Sequence, residues 1–351
     1  MFAEKSVKTF RELLGTELPI IQAPMAGVQT SALAIAVSNA GGMGSLPCAM
    51  LSAEKTRAEL TAITGATRQP YNVNFFCHTP PKPDPARETA WRALLAPYYK
   101  EFGIDASAIA AGPGRAPFSA EAAEVIEEFR PRVVSFHFGL PAADLLGRVK
   151  ATGAVVVASA TTVEEALWLE ARGVDAVIAQ GAEAGGHRGM FLTEDVTTQA
   201  GTFALVPQIA RAVKLPVIAA GGIADAAAVK AALTLGACAA QIGTAYLLCP
   251  EATTSAVHRT ALRSADARHT AMTRVFSGRP ARGIMNRLMR ELGPMNEIPL
   301  AFPLAAAALA PLRAKAESRG DGGFSTLWCG ENATGCAEIP AGDMTRRLAG
   351  C

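Results

Sequence analysis

The feature that most constrains this chain is a rhythm. Short apolar runs recur at residues 19–25, 43–46, 71–76, 133–138, 154–158, 175–179, 216–220 and 237–242, and helical patterns fill most of the gaps. Most runs are continuously apolar rather than alternating, as expected of strands covered on both faces. Repeated strand–helix units of this spacing specify a parallel sheet with right-handed crossovers. Eight of them predict an α/β fold of the closed (β/α)8 TIM-barrel type. An open doubly wound sheet is the fallback. Against it, no GxGxxG follows the first run, and the runs continue beyond six.

Helix starts are marked by Ser31, Ser52, Ser119, Thr162 and Asp225, residue types whose side chains cap free amides. A short helix is expected at 9–15. The rhythm is interrupted twice. Residues 84–102 read as a helix and 111–117 as a glycine- and proline-rich excursion, of the kind that covers a site. Residues 251–325 read as a small helical domain after the last strand. Helices are expected there at 251–265 and 284–292, with a proline-broken apolar stretch at 298–312. The chain returns at 327–348, with a closing helix from 341. The division is 1–250 plus 326–351 for the barrel and 251–325 for a substrate-covering domain.

Composition excludes several classes. The net charge is +2, and no basic run is interleaved with aromatics, so no nucleic-acid partner is expected. The longest apolar stretch contains Pro299, Pro303 and Pro311 and is too short to span a bilayer, so no membrane association is expected. The first residues lack a basic region followed by an apolar core, so no secretory signal is expected. The seven cysteines form no CxxC, against both a disulfide framework and a zinc site. The expected compartment is cytoplasmic.

In a barrel all strand C-termini share one face, where chemistry collects. The polar and glycine-rich residues fall there: Ala23-Pro-Met25, Asn74, His137, Gln180 to Arg188, Gly221-Gly222 and Gln241-Ile-Gly-Thr244. Gly185 and Gly186 remove side chains where a flat or phosphorylated ligand could approach. The loops after strands seven and eight, carrying Gly221, Gly222, Gly243 and Thr244, are the usual phosphate site of this fold. The same glycines also serve plain tight turns. His187 titrates near neutrality, whereas His137, in an aromatic run, also reads as a core histidine. No third ligand accompanies them, so no metal is expected. His78, His258 and His269 read as surface residues, and Glu183 as a loop brace. Arg279 and Arg282 either pin the covering domain or attract anions.

With these stretches assembled, the chain resembles the nitronate monooxygenase family (formerly 2-nitropropane dioxygenases), class I. The resemblance rests on Gln22-Ala-Pro-Met-Ala-Gly27, Ser38-Asn-Ala-Gly-Gly-Met-Gly-Ser-Leu46, Tyr71-Asn-Val-Asn-Phe-Phe76 and Ser135-Phe-His-Phe-Gly-Leu-Pro141. Further matches are Gln180 to Gly189, Pro216 to Ile223, Gln241 to Ala245 and Phe276-Ser-Gly-Arg-Pro-Ala-Arg-Gly283. It implies a non-covalent FMN at the barrel mouth. Asn74, Gln180, Gly185, Gly222, Gln241, Ile242, Gly243 and Thr244 would bind it, with Met25 and its neighbour Ala23 beside the ring. His187 would be the active-site histidine, with His137 near the substrate. The implied reaction is oxidation of alkyl nitronates, propionate 3-nitronate being the family expectation, by O2 through an anionic flavin semiquinone. The products are a carbonyl compound and nitrite, a detoxification. A protonated His187 would hold the nitro oxygens; a neutral one could remove an α-proton.

The chain departs from the pattern in one respect. Some relatives bring tyrosines to the substrate from the second domain, whereas no tyrosine follows Tyr246 here, and Phe302 stands where one is sought. A homodimer is one reading of the oligomeric state. The alternative function is an FMN-dependent NAD(P)H reductase acting on quinones or enoyl-acyl-carrier proteins. A barrel that senses a flavin or phosphate ligand without turnover is a third.

Overall fold

The computed structural model describes residues 10–109 and 115–351. Eight parallel strands form the barrel: β1 Ile20–Gln22, β2 Gly44–Pro47, β3 Tyr71–Phe76, β4 Val133–His137, β5 Val155–Ala160, β6 Ala176–Gln180, β7 Val217–Ala220 and β8 Ala239–Ile242. They pair in the order β1-β8-β7-β6-β5-β4-β3-β2. The ring closes between β1 and the residue before β2. There the Met43 amide donates to the Ile20 carbonyl at 2.8 Å, and the Gln22 amide to the Met43 carbonyl at 2.9 Å. The expected closed barrel is present.

Side chains alternate between two apolar layers. One face of each strand packs outward against the helices, where Val73, Val134, Val156, Val177 and Ala219 meet Leu60, Ile126, Leu169 and Ile209. The other face fills the barrel with Ile21, Met43, Val133, Val155, Ile178 and Ile218. Phe10 and Leu14 join that inner layer, fully buried. The helix expected at 9–15 covers 10–14, residue 9 lying outside the described residues. It plugs the N-terminal end of the barrel and leaves the C-terminal mouth as the way in.

Four of the five marked helix starts act as expected. Ser52 accepts from the Lys55 amide at 3.2 Å, Ser119 from Ala122 at 3.3 Å, Thr162 from Glu165 at 3.2 Å and Asp225 from Ala228 at 2.8 Å. Each such cap is worth about 1 kcal/mol. Ser31 differs. It is the first residue of helix Ser31–Asn39, and its amide donates to the Glu59 carboxylate at 2.6 Å. A negative group from the neighbouring helix Ala53–Ala66 therefore serves that N-terminus.

The covering unit departs from the expected helical domain at 251–325 in two ways. First, its core is shared with the earlier interruption. Helix Pro85–Phe102 contributes Trp91, Leu95, Tyr99 and Phe102 to a cluster with Phe276, Leu288, Leu309, Leu312 and Phe324. The Tyr99 hydroxyl donates to the Ala308 carbonyl at 2.9 Å and the Trp91 indole to Ala305 at 3.2 Å. Neither segment alone is apolar enough to bury itself, so they pack together. Second, the unit contains a sheet. Thr270–Thr273 pairs antiparallel with Ala281–Ile284, which pairs with Gly186–His187. The helices expected at 251–265 and 284–292 are shorter, at Ala256–Arg263 and Arg287–Leu292. The stretch 298–312 leads into helix Ala305–Glu317, which carries Pro311 inside it. Helix Ala341–Ala349 packs back on the barrel. Of the excursion at 111–117, residues 111–114 lie outside the described residues. Among the described residues no helix is long and apolar enough to cross a membrane.

Candidate active site

A cavity of about 180 Å³ opens at the C-terminal mouth. A single water needs roughly 10–15 Å³ on that measure, so the space admits an organic ligand. Ala23, Met25, Asn74, His137, Gln180, Gly185, Gly186, His187, Gly221, Gly222, Gln241, Ile242, Gly243 and Thr244 all line it. The tertiary structure therefore brings together all the residues expected from the sequence to hold the cofactor, along with His137 and His187.

One wall is made of backbone. Gly221 and Gly222 follow β7 with φ of +118° and +70°, values that favour glycine. Among the described residues, the amides of Gly222, Ile223, Gly243 and Thr244 donate to no backbone carbonyl. Four free amides at the ends of two adjacent strands suit a phosphate without any lysine. The Oε1 of Gln241 is buried and has no partner, so it offers an acceptor to a ligand N–H. Asn74 donates to the Ser135 hydroxyl at 2.9 Å and lies beneath the cavity. At Gly186 an added Cβ would meet nothing within 4 Å, which fits open ligand space. Gly185 is glycine for another reason: its Cβ would sit 2.5 Å from the Gly330 amide nitrogen. The returning segment crosses here. The Gly330 amide donates to Thr244 Oγ1 at 3.0 Å, and Asn332 to the Gly222 carbonyl at 3.3 Å.

The facing wall is made of side chains. His187 sits on the short strand that joins the loop after β6 to the covering sheet, opposite Ala281. Its Nε2 is 2.9 Å from Ser277 Oγ. The Ser277 hydroxyl in turn donates to the Arg279 carbonyl at 3.3 Å. With its hydroxyl turned to that carbonyl, Ser277 accepts from His187 Nε2–H, the tautomer that leaves Nδ1 a lone pair. Gly278 makes this loop possible, because at its φ of +82° a Cβ would lie 1.8 Å from the Leu300 carbonyl oxygen. Burial holds the His187 pKa well below its ordinary 6.5, and Arg115, His137 and Arg279 add to the effect. The ring is half-buried by surface area and open only to the cavity. His187 is therefore neutral at pH 7 and can accept a proton.

His137 lines the same cavity with both ring nitrogens engaged. Nε2 donates to the His187 carbonyl at 3.2 Å, so Nδ1 accepts from Ser159 Oγ at 3.0 Å. Burial drives its pKa down to about 3. This makes it a positioning residue for the His187 backbone rather than a proton carrier. Gln180 supports the same backbone. Its Nε2 donates to the His187 carbonyl at 3.0 Å and its Oε1 accepts from the Gly189 amide at 2.7 Å.

Other residues of this wall were named in the sequence without a part in the site. Arg188 is fully buried and donates to the carbonyls of Gly181 and Gln180, each at 2.6 Å, tying the loop to the end of β6. Phe76, Phe138 and Phe302 form an aromatic cluster, with Phe76–Phe138 centroids 4.8 Å apart and Phe138–Phe302 5.4 Å. Phe302 packs 5.2 Å from His187, where a tyrosine had been sought, and Trp328 packs 5.4 Å from it. His78 and His258, expected at the surface, are 4% and 3% exposed. The covering unit closes over His78, which packs 4.9 Å from Phe302, while His258 sits on that unit's own helix Ala256–Arg263 and faces the cavity. His269 is exposed, as expected. Glu183 braces its loop by accepting from the Thr202 amide and hydroxyl at 2.8 and 2.9 Å. Arg282 pins the covering unit, donating to the Ala182 carbonyl at 2.8 Å and pairing with Glu331 at 3.0 Å. Arg279 stacks over Phe138 at 4.1 Å and donates to the Met190 carbonyl.

Comparison with known proteins agrees with this arrangement. The family model for nitronate monooxygenase matches residues 8–349. The chain is 45% identical to a nitronate monooxygenase of Pseudomonas aeruginosa over 348 residues, covering 97% of each. It is 44% identical to one from Paraburkholderia phytofirmans, covering 96% of this chain and 92% of that one. Among solved structures, nitroalkane oxidase from Streptomyces ansochromogenes superposes with a TM-score of 0.88 at 37% identity, covering 97% of this chain and 96% of that one. FabK from Thermotoga maritima gives 0.72 at 27%, covering 97% and 94%.

Proposed function

The chain belongs to the nitronate monooxygenase family of oxidoreductases, and from that premise we propose that it binds FMN in the barrel mouth and oxidises alkyl nitronates with O2 to carbonyl compounds and nitrite. Propionate 3-nitronate is the substrate we expect. One observation carries the reading: a cradle of free amides at Gly222, Ile223, Gly243 and Thr244 faces a neutral histidine across a single cavity.

FMN, when bound, supplies the electron acceptor for the nitronate. The protein does the rest. The free amides would hold the phosphate, and Gln241 Oε1 would accept from the ring system, with Met25 and Ala23 against it. His187 is aimed by the Ser277 hydroxyl at one end and by His137 and Gln180 at its backbone. In the tautomer with a lone pair on Nδ1 it would take the α-proton of a neutral nitroalkane, a step that a nitronate does not need. Phe76, Phe138, Phe302 and Trp328 surround the histidine and exclude water from the reacting carbon.

The test is an anaerobic absorbance titration of the purified, flavin-loaded protein. An alkyl nitronate is expected to change the flavin spectrum, and NADH is expected to leave it untouched. Rapid bleaching by NADH with no response to nitronate would move the protein to the FMN-dependent reductases. A protein that cannot be loaded with FMN would remove the cofactor assignment. Ligand binding with no nitronate-dependent oxygen uptake would leave the sensor reading.

A further inference from the structure

We propose that Arg115 is the specificity-determining residue of this site, and that it holds a carboxylate at the far end of a short nitronate. The inference rests on the nitronate reading above and assigns to one side chain the recognition of a second anionic group.

Arg115 lines the cavity. Its Nε is buried without a partner, and its Nη2 reaches only the Met50 thioether, a weak acceptor at 3.9 Å. The side chain is desolvated enough to lower its pKa, and the charge acting on it is Arg313, another cation. Among the described residues no carboxylate pairs with it. Desolvated charges in folded proteins are paired. Here the missing anion faces the cavity, so it belongs to the ligand.

Its placement suits the far end of the substrate rather than the reacting end. The His78 Nε2 donates to the Arg115 carbonyl at 2.9 Å and fixes the backbone. The Phe302 ring neighbours both functional groups, with its centroid 5.5 Å from the Arg115 Cζ and 5.2 Å from the His187 ring. The guanidinium and the imidazole are thus separated by no more than those two legs end to end. In propionate 3-nitronate two carbons separate the nitro nitrogen from the carboxylate carbon, roughly 4 Å across three bonds of about 1.5 Å. With a hydrogen bond of about 3 Å at each end the ligand fits within that limit. A nitronate head alone brings one negative charge, and placing it near His187 leaves Arg115 unpaired. A second anionic group neutralises it, and the planar fork of an arginine matches a carboxylate.

The experiment compares two nitronates of equal chain length on the flavin-loaded enzyme: propionate 3-nitronate and the nitronate of 1-nitropropane. Steady-state oxygen uptake gives kcat/KM for each, in wild type, Arg115→Met and Arg115→Lys. In Arg115→Met the ratio of the two values, carboxylated over plain, is expected to fall roughly 10- to 100-fold, as for loss of a charge-assisted hydrogen bond, mainly through KM. Arg115→Lys should restore part of the ratio. An unchanged ratio overturns the proposal, whether both substrates slow together, which would place Arg115 at the nitronate head, or neither does. Calorimetric binding of 3-nitropropionate to wild type and Arg115→Met decides the matter independently of turnover, and equal affinities would also overturn it. Wild-type enzyme that turns over neither nitronate sinks the functional reading, while the binding comparison still judges Arg115.

Discussion

The two walls of the cavity are built from different material. The wall after β7 and β8 is backbone: glycines, free amides and a threonine, contributed by two loops close in sequence. The wall around His187 is side chain, drawn from β3, β4, the loop after β6, the covering unit and the returning segment. Backbone recognition tolerates little substitution, because a Cβ either collides or forces a disallowed φ. Side-chain recognition changes one residue at a time. The first wall thus suits an invariant cofactor, and the second is where substrate choice and proton chemistry are set.

The contrast is sharpest at the histidine. Replacing His187 with Asn is expected to cut turnover of neutral nitroalkanes about 100-fold or more, as for removal of a positioned base, with a smaller loss on nitronates, which have no α-proton left to remove. Flavin content should be unchanged. Loss of flavin together with activity would mean the two walls are not separable.

On the opposite wall, Gly185→Ala places a Cβ 2.5 Å from the Gly330 amide nitrogen. The expected cost is about 1–3 kcal/mol, as for overpacking, read as a lower Tm and weaker flavin retention. Gly186→Ala meets open space and suffers only from its φ of +73°. About 1 kcal/mol is expected there. Equal effects at the two positions would contradict the distinction drawn between them.

Acid should act through the histidine wall. The His137 pKa is depressed to about 3 by burial, so below pH 6.5 the unfolded chain binds a proton that the folded chain refuses. The stability this group contributes is complete above pH 6.5 and is lost as pH falls toward 3, at about 1.4 kcal/mol per pH unit. His187, also depressed, acts in the same direction. Urea unfolding at pH 7, 6 and 5 should show the slope, and His137→Leu should reduce it, the depressed His187 and His258 keeping the remainder. A pH-independent stability over that range would show that His137 is not held neutral.

The smallest effect is expected at Ser277→Ala. It removes one hydrogen bond to His187 Nε2, worth about 1 kcal/mol, and should slow turnover roughly fivefold while leaving flavin bound. No change would mean that the aromatic packing alone orients the ring.

The barrel and the backbone wall were legible in the sequence because both rest on local rules. Continuous apolar runs identify strands buried on two faces, and the Gly221-Gly222 pair after strand seven and Gly243 after strand eight identify turns that expose amides. The capping residues Ser52, Ser119, Thr162 and Asp225 marked their helices for the same reason. Ser31 did not, because the group serving its helix comes from Glu59 on a neighbouring element. His78 and His258 were misplaced because nothing local records what will cover them. Arg188, named only as part of the stretch from Gln180, was given no role of its own because a buried arginine satisfied by two carbonyls looks, in sequence, like any other arginine.

The sequence by itself determined the eightfold repeat, the face on which the glycines and His187 gather, and the family resemblance those residues carry. The tertiary structure decided the protonation of His187, the supporting part played by His137, the pairing of helix Pro85–Phe102 with the distant covering unit, and the unpaired charge of Arg115. Periodicity and backbone conformation are set by near neighbours in the chain. Desolvation, tautomer and charge pairing depend on groups tens to hundreds of residues apart that only the closed fold brings within a few ångströms.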